Sequence, residues 1–227
     1  MKYLIYLSIF FISVLTQAQN PVNSGDLSDG FKIMRNDLKG SPFLTQKWYV
    51  GHGVLKDGKL TTPQIMNYDI HGNNLVYKAN ENEDVLKLLD NNFTGFILKA
   101  ETGELIFTKI PGEQFEKNKK DTKYYQIVNP PSRLVVTEFY KELDDPNASG
   151  WTSSTQSTKS AEYDLEVDYY VLNPKNKYEE VKLKERAILK IFDDKKKELE
   201  SFINSNDIDI NSPEDLFKIV EHYYSLK

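Results

Sequence analysis

The sequence predicts an α+β fold: a curled or partly closed antiparallel sheet, a meander of roughly eight strands, with two or three short helices at the C-terminus. Three observations carry this. Asp57-Gly58 and Gly72-Asn73 separate runs of β-formers within Trp48–Lys78. Residues 161–172 (AEYDLEVDYYVL) alternate apolar and acidic side chains. From Lys184 onward the apolar residues recur at helical spacing behind a Ser-Pro start.

Residues 1–18 fit a signal peptide. Lys2 supplies a short positive start, Tyr3 to Leu15 an apolar stretch of about 13 residues, and Thr16-Gln17-Ala18 a small-x-small cleavage site. That stretch falls short of the ~20 residues a spanning helix needs, and no later stretch reaches that length. The expectation is export, to the periplasm or the medium, with no transmembrane segment in the mature chain. Residues 19–183 form the β domain, with a mobile Ser/Thr-rich loop at 144–160, and residues 184–227 a helical cap packed on the sheet.

Taken in order, residues 19–30 read as a loose arm and Phe31 to Leu38 as a short helix turn or edge strand. Val50–Leu55, Leu60–Asp69 and Leu75–Lys78 are the first three strands. Each tight reversal needs positive φ at its centre, which Gly and Asn supply. Val85 to Leu89 fits a helical turn or a strand. Phe93–Lys99 and Leu105–Ile110 flank a Gly103 turn, Lys117–Lys123 is a charged loop, and Tyr124–Val128 is an aromatic strand ended by Pro130-Pro131. Arg133–Leu143 and Ala161–Leu172 make a long hairpin. In the latter, Tyr163, Leu165, Val167, Tyr169 and Val171 face a core, while Glu162, Asp164, Glu166 and Asp168 face water. Tyr178–Leu183 is the last strand. Helices follow at Lys184–Phe192, from an Asp193 or Asp194 cap to Asn204, and behind the Ser212-Pro213 start.

The net charge of −5 and the intermixing of lysines with acids argue against a nucleic-acid partner. Cysteine is absent, which removes disulfides, thiolate chemistry and a lipid on Cys. A mature chain of roughly 200 residues buries about 70% of its unfolded surface and needs no such staple.

Positive chemical motifs are few. His52, His71 and Asp69 could meet across neighbouring strands as metal ligands or an acid–base set, although a strand residue and a turn residue explain the histidines equally. His222 reads as a surface residue of the last helix. The acidic stripe at Glu162–Asp168 spaces carboxylates about 7 Å apart, which suits sugar hydrolysis or an oxygen cage but also any solvated strand face. No nucleophile elbow surrounds Ser153, Ser154 or Ser157, and Gly51 and Gly53 lack the third glycine of a phosphate loop. The chain therefore calls for no cofactor, no metal and no assigned catalytic residue. The aromatic surplus, with 14 Tyr, 12 Phe and 2 Trp, points instead to binding. Trp48, Tyr68, Tyr77 and the loop residue Trp151 are the candidate contacts for a protein, glycan or lipid ligand.

The stretches GSPFL (40–44), WYVGHGVLKDGK (48–59), MNYD (66–69), NLVYK (74–78), FDDKKKEL (192–199) and the ending YYSL (223–226) resemble a group of uncharacterised exported proteins of Bacteroidota. The resemblance implies an envelope location and this fold, and it carries no reaction. The expected function is an exported, non-catalytic binding or interaction protein. A secreted hydrolase using paired carboxylates such as Asp69 and Glu166 is one alternative, and a structural component of an envelope complex the other.

Overall fold

Tight turns with positive φ set the strand order, at Gly58 (81°), Asn73 (53°), Gly103 (132°) and Asn176 (59°). In the computed structural model, which describes residues 31–32, 40–80, 82–87, 92–144 and 162–227, these turns join antiparallel strands. The strands are β1 (Phe31–Lys32), β2 (Tyr49–Leu55), β3 (Gln64–Asp69), β4 (Asn74–Lys78), β5 (Leu86–Lys87), β6 (Phe93–Ala100), β7 (Gly103–Ile110), β8 (Lys123–Asn129), β9 (Ser132–Asp144), β10 (Glu162–Leu172) and β11 (Tyr178–Val181). Among the described residues all eleven belong to one open sheet, ordered β1-β5-β4-β3-β2-β6-β7-β8-β9-β10-β11. Three helices follow: α1 (Glu185–Ile191), α2 (Lys196–Ser205) and α3 (Pro213–Ser225). The α+β class with a curled antiparallel sheet and a helical C-terminus is thus observed. The signal-peptide residues and, apart from Asp144 at the end of β9, the loop expected at 144–160 with Trp151 lie outside the described residues.

The sheet bends strongly. Four strand spacings separate β3 from β8, about 19 Å on a flat sheet, yet the rings of Tyr68 and Tyr124 lie 5.6 Å apart. Met66, Leu75, Tyr77, Phe96, Leu98 and Phe107 fill the concave side with them. A short segment bridges the gap between β3 and β9. The Leu44 amide donates to the Tyr68 carbonyl (2.7 Å), and Ile70 to that of Pro42 (3.0 Å). From β9, the Lys141 ammonium donates to the carbonyls of Ser41 (2.7 Å) and Phe43 (2.6 Å).

Farther along, the helices cover the same side of the sheet. Val135, Val171 and Val181 pack against Ile188, Leu199, Ile203, Leu216, Val220 and Tyr223. Ser212 caps α3 as the sequence predicts, accepting the Asp215 amide at 3.2 Å with Pro213 in the first turn. The cap expected from Asp193 or Asp194 is replaced by a 3-10 turn over Asp193–Lys195, and α2 begins at Lys196 without a side-chain cap. The predicted strand from Leu60 starts four residues later. Leu60 makes a single bridge to Val54, the Thr61 hydroxyl takes the Gly53 amide, and Pro63 has no N–H to donate.

The alternation in β10 also needs correction. Leu165, expected inside, is 49% exposed. Tyr170, on the face with Asp164, Glu166 and Asp168, is 4% exposed. The reason lies in the segment between β7 and β8, which folds over that second face.

Candidate functional site

Residues 111–122 leave β7 at Pro111, turn through a 3-10 helix at Gly112–Gln114 and lie on the convex side of β8–β11. Phe115 bridges Tyr178 in parallel, and the Glu116 amide donates to the Tyr178 carbonyl at 2.9 Å. Buried Asn173 anchors the other side. Its amide nitrogen donates to Glu116 (3.2 Å) and Glu179 (3.0 Å), and its oxygen accepts the Lys175 and Lys177 amides. Gly112 makes the fold-back sterically feasible: a Cβ there would stand 2.0 Å from the Lys119 carbonyl oxygen. The Lys119 amide donates to the Gly112 carbonyl at 3.0 Å, which fixes where the Lys119 side chain begins.

Beneath this segment Ile110, Phe115, Tyr125, Val136, Tyr170 and Tyr178 form a small core, and a carboxylate sits in it. Glu138 of β9, 4% exposed, accepts from the ammonium groups of Lys119 and, at 2.9 Å, Lys123. The Tyr170 hydroxyl accepts from Lys119 at 2.7 Å and donates to Glu138 at 3.1 Å. Aromatic rings surround the Lys119 ammonium. It lies 4.2 Å from the ring centroid of Tyr170, 4.7 Å from Phe115 and 5.4 Å from Tyr125. Tyr170 stands at 86° to both other rings, so the three make walls rather than a stack.

The electrostatics follow. Burial would raise the Glu138 carboxyl, but the two ammonium groups outweigh it and hold the carboxyl below its ordinary value. Burial, and then the Glu138 charge, raises both tyrosine hydroxyls, so they stay protonated. Asp168, paired across the strands with Glu138, is pushed up by burial and by the charges of Glu180 and Glu138. The Tyr125 hydroxyl, fully buried, has no hydrogen-bond partner among the described residues.

The centre opens into a cleft of ≈ 340 Å³ lined by Phe115, Lys119, Tyr170, Tyr178, Glu179 and Glu180 among others. A larger groove of ≈ 700 Å³ runs beside α1 and α2. Its walls are mostly exposed charges of both signs, such as Glu185, Arg186, Lys190 and Lys196, as expected of solvated helix surfaces.

The sequence-derived candidates disperse. Tyr68 is 1% exposed and gives its hydroxyl to Asn73 (2.8 Å), and Tyr77 is 5% exposed; both are core side chains. Trp48 is half-buried, edge-on to Phe43 (5.1 Å), with the Lys78 ammonium 4.8 Å above its ring, in a shallow cleft with Lys47, Val50 and Ile65. His52 bonds the Thr61 carbonyl (2.8 Å). His71 bonds the Lys141 carbonyl (3.0 Å) and meets the Tyr163 ring edge-on. His222, expected at the surface, stacks on Phe202 with ring centroids 3.8 Å apart. Asp69 accepts the Gly72 amide of its own turn (2.8 Å). Among the described residues no three His, Asp or Glu side chains gather as a metal would require, and no helix is long and apolar enough to cross a membrane. Sequence reasoning missed Glu138 and Lys119. A carboxylate inside the apolar run VVTEFY (135–140) was the one available sign.

Comparison of the chain with protein-family models, with curated proteins and with solved structures finds no match.

Proposed function

We propose that this chain is an exported, non-catalytic binding protein of the bacterial envelope that takes its ligand in the cleft beside Glu138. The observation that supports this best is a cleft walled by Phe115, Tyr170 and Tyr178, in which the lining Lys119 ammonium bonds the buried Glu138 carboxylate. Such convergence of a few polar groups on an otherwise aromatic cleft is the usual make-up of a ligand site. Export is read from residues 1–18.

The cross-strand pair of Glu138 and Asp168 supports the hydrolase alternative, since one carboxyl is pushed down and the other up. Binding stands ahead because both Glu138 oxygens are already taken by ammonium donors. A carboxylate so neutralised is a poor base or nucleophile.

The test is a panel of glycans, lipids, short peptides and amines screened by thermal shift, against the natural protein and Asn118→Trp. Asn118 is an exposed lining residue, and the indole would fill the cleft. A ligand that raises Tm in the natural protein but not in the variant is expected. Binding that maps to the Trp48 cleft, or turnover of a glycoside by the pair of carboxylates, overturns the reading. Fractionation that left the protein in the cytoplasm would overturn the export part.

A further inference from the structure

We infer that the cleft is built for an organic ammonium, a primary or methylated amine, and that Lys119 occupies the seat of that amine in the free protein. The inference rests on the cleft reading above and names the chemistry of its ligand.

Four observations converge. The Lys119 ammonium lies within cation–π range of three rings set as walls. A carboxylate closes the base of that enclosure, and Lys123 from β8 neutralises it separately, so Glu138 keeps a partner when Lys119 leaves. Lys119 comes from the segment laid over the sheet, and its side chain is 27% exposed on the cleft side, so it can withdraw without a strand moving. The fourth observation is the Tyr125 hydroxyl, fully buried beside the cage without a hydrogen-bond partner among the described residues. A buried hydroxyl left so is unusual and marks a place where a further donor can be accepted.

The surroundings set the sign. Glu116, Glu179 and Glu180 line the cleft against Lys117 and Lys119, and the acids remain in excess once Lys119 swings out. Anions are disfavoured there. A neutral isostere gains the apolar contact but neither the ring electrostatics nor the carboxylate. A seat already filled from within lowers apparent affinity by the fraction of time it is vacant. The natural protein should therefore bind amines weakly, and removing the internal occupant should strengthen binding.

Titration calorimetry with tetramethylammonium chloride, against matched sodium chloride and against the neutral near-isostere 2,2-dimethylpropan-1-ol, tests this on the natural protein, Lys119→Ala and Lys119→Ala/Tyr170→Leu. The expected result is affinity at least about tenfold tighter for Lys119→Ala than for the natural protein. That gain should be lost in the double variant and absent for the isostere. N-acetyl-lysine amide and phosphocholine distinguish a lysine side chain from a lipid headgroup as the source, and the acidic rim predicts that the former binds better. A folded Lys119→Ala that binds tetramethylammonium no tighter than the natural protein overturns the inference.

Where that variant does not fold, the natural protein still decides. The ring-shifted ε-methylene resonance of Lys119 should move toward its free position as tetramethylammonium is added, and a stationary resonance overturns the inference. Should Asn118→Trp abolish binding of some non-cationic ligand while no ammonium binds, the cleft reading stands and this inference falls.

Discussion

The Lys119 ammonium lies 4.2 Å from the centroid of the Tyr170 ring and 2.7 Å from its hydroxyl oxygen, so one cation meets both the ring and the polar tip of the same side chain. Through that hydroxyl it also reaches Glu138, which accepts from Tyr170 and from the ammonium directly. The relationship ties an irregular segment to the centre of the sheet. It makes the stability of β8–β10 and the state of the cleft a single question.

Glu138→Leu should be strongly destabilising, by about 2–4 kcal/mol, because it leaves two ammonium groups in a small aromatic core without their counter-charge. The partial exposure of Lys119 and Lys123 keeps the loss below that of a fully buried pair. Denaturant unfolding checks this, and a loss within about 0.5 kcal/mol, as for a plain surface change, would contradict it.

The same group gives a pH dependence. The folded Glu138 carboxyl lies below its ordinary value, so the folded protein binds fewer protons there than the unfolded chain. Its contribution is full above the unfolded value near pH 4.3 and declines as pH falls through the depressed folded value. Glu138→Gln should flatten the loss of stability below about pH 5. Asp69 and Asp168, both pushed up mainly by burial, contribute with the opposite sign. A variant whose acid branch stays parallel to the natural protein's would contradict the assignment.

Gly112→Ala should open the segment over the cleft. Its Cβ would meet backbone, the Lys119 carbonyl at 2.0 Å, which cannot rotate away. A cost of about 1–3 kcal/mol is expected for such overpacking. Faster hydrogen exchange at the Glu116 and Lys119 amides should accompany it, and unchanged exchange there would count against the described fold-back.

Leu216→Ala should cost about 2–5 kcal/mol, since the side chain is fully buried between α3 and the sheet. Leu165→Ala, at a half-exposed site on β10, should change stability by no more than about 0.5 kcal/mol. Ser212→Ala should cost about 0.5–2 kcal/mol, with Ser212→Asp recovering most of it, because an oxygen at that position takes the Asp215 amide. Thermal unfolding of the four variants orders them.

Features governed by a few neighbouring residues were legible in the sequence. The Lys56–Lys59 turn, the Gly103 turn and the Ser212-Pro213 start depend on backbone conformation and on one side-chain oxygen, and all stand where the sequence puts them. The period-2 pattern of β10 was legible too, but not what covers each face. Tyr170 is buried and Leu165 exposed because residues 111–122 return over one face and the helices stop short on the other. That depends on contacts such as Phe115 with Tyr178, far apart in the chain. The candidate site was hidden for the same reason. Lys119 is one of several lysines in a charged loop, and nothing local separates the one that enters an aromatic cage from those that stay in water. Tyr68 and Tyr77, chosen as ligand contacts, went inside because the sheet curls enough to make a core of its own concave side.

The most direct measurement is a crystal structure of Lys119→Ala grown with tetramethylammonium. The cation is expected between the rings of Phe115, Tyr125 and Tyr170, against Glu138, with the strands beneath unmoved. A cage collapsed on itself, or a cation seated over Trp48 and absent from the cage, would contradict the account.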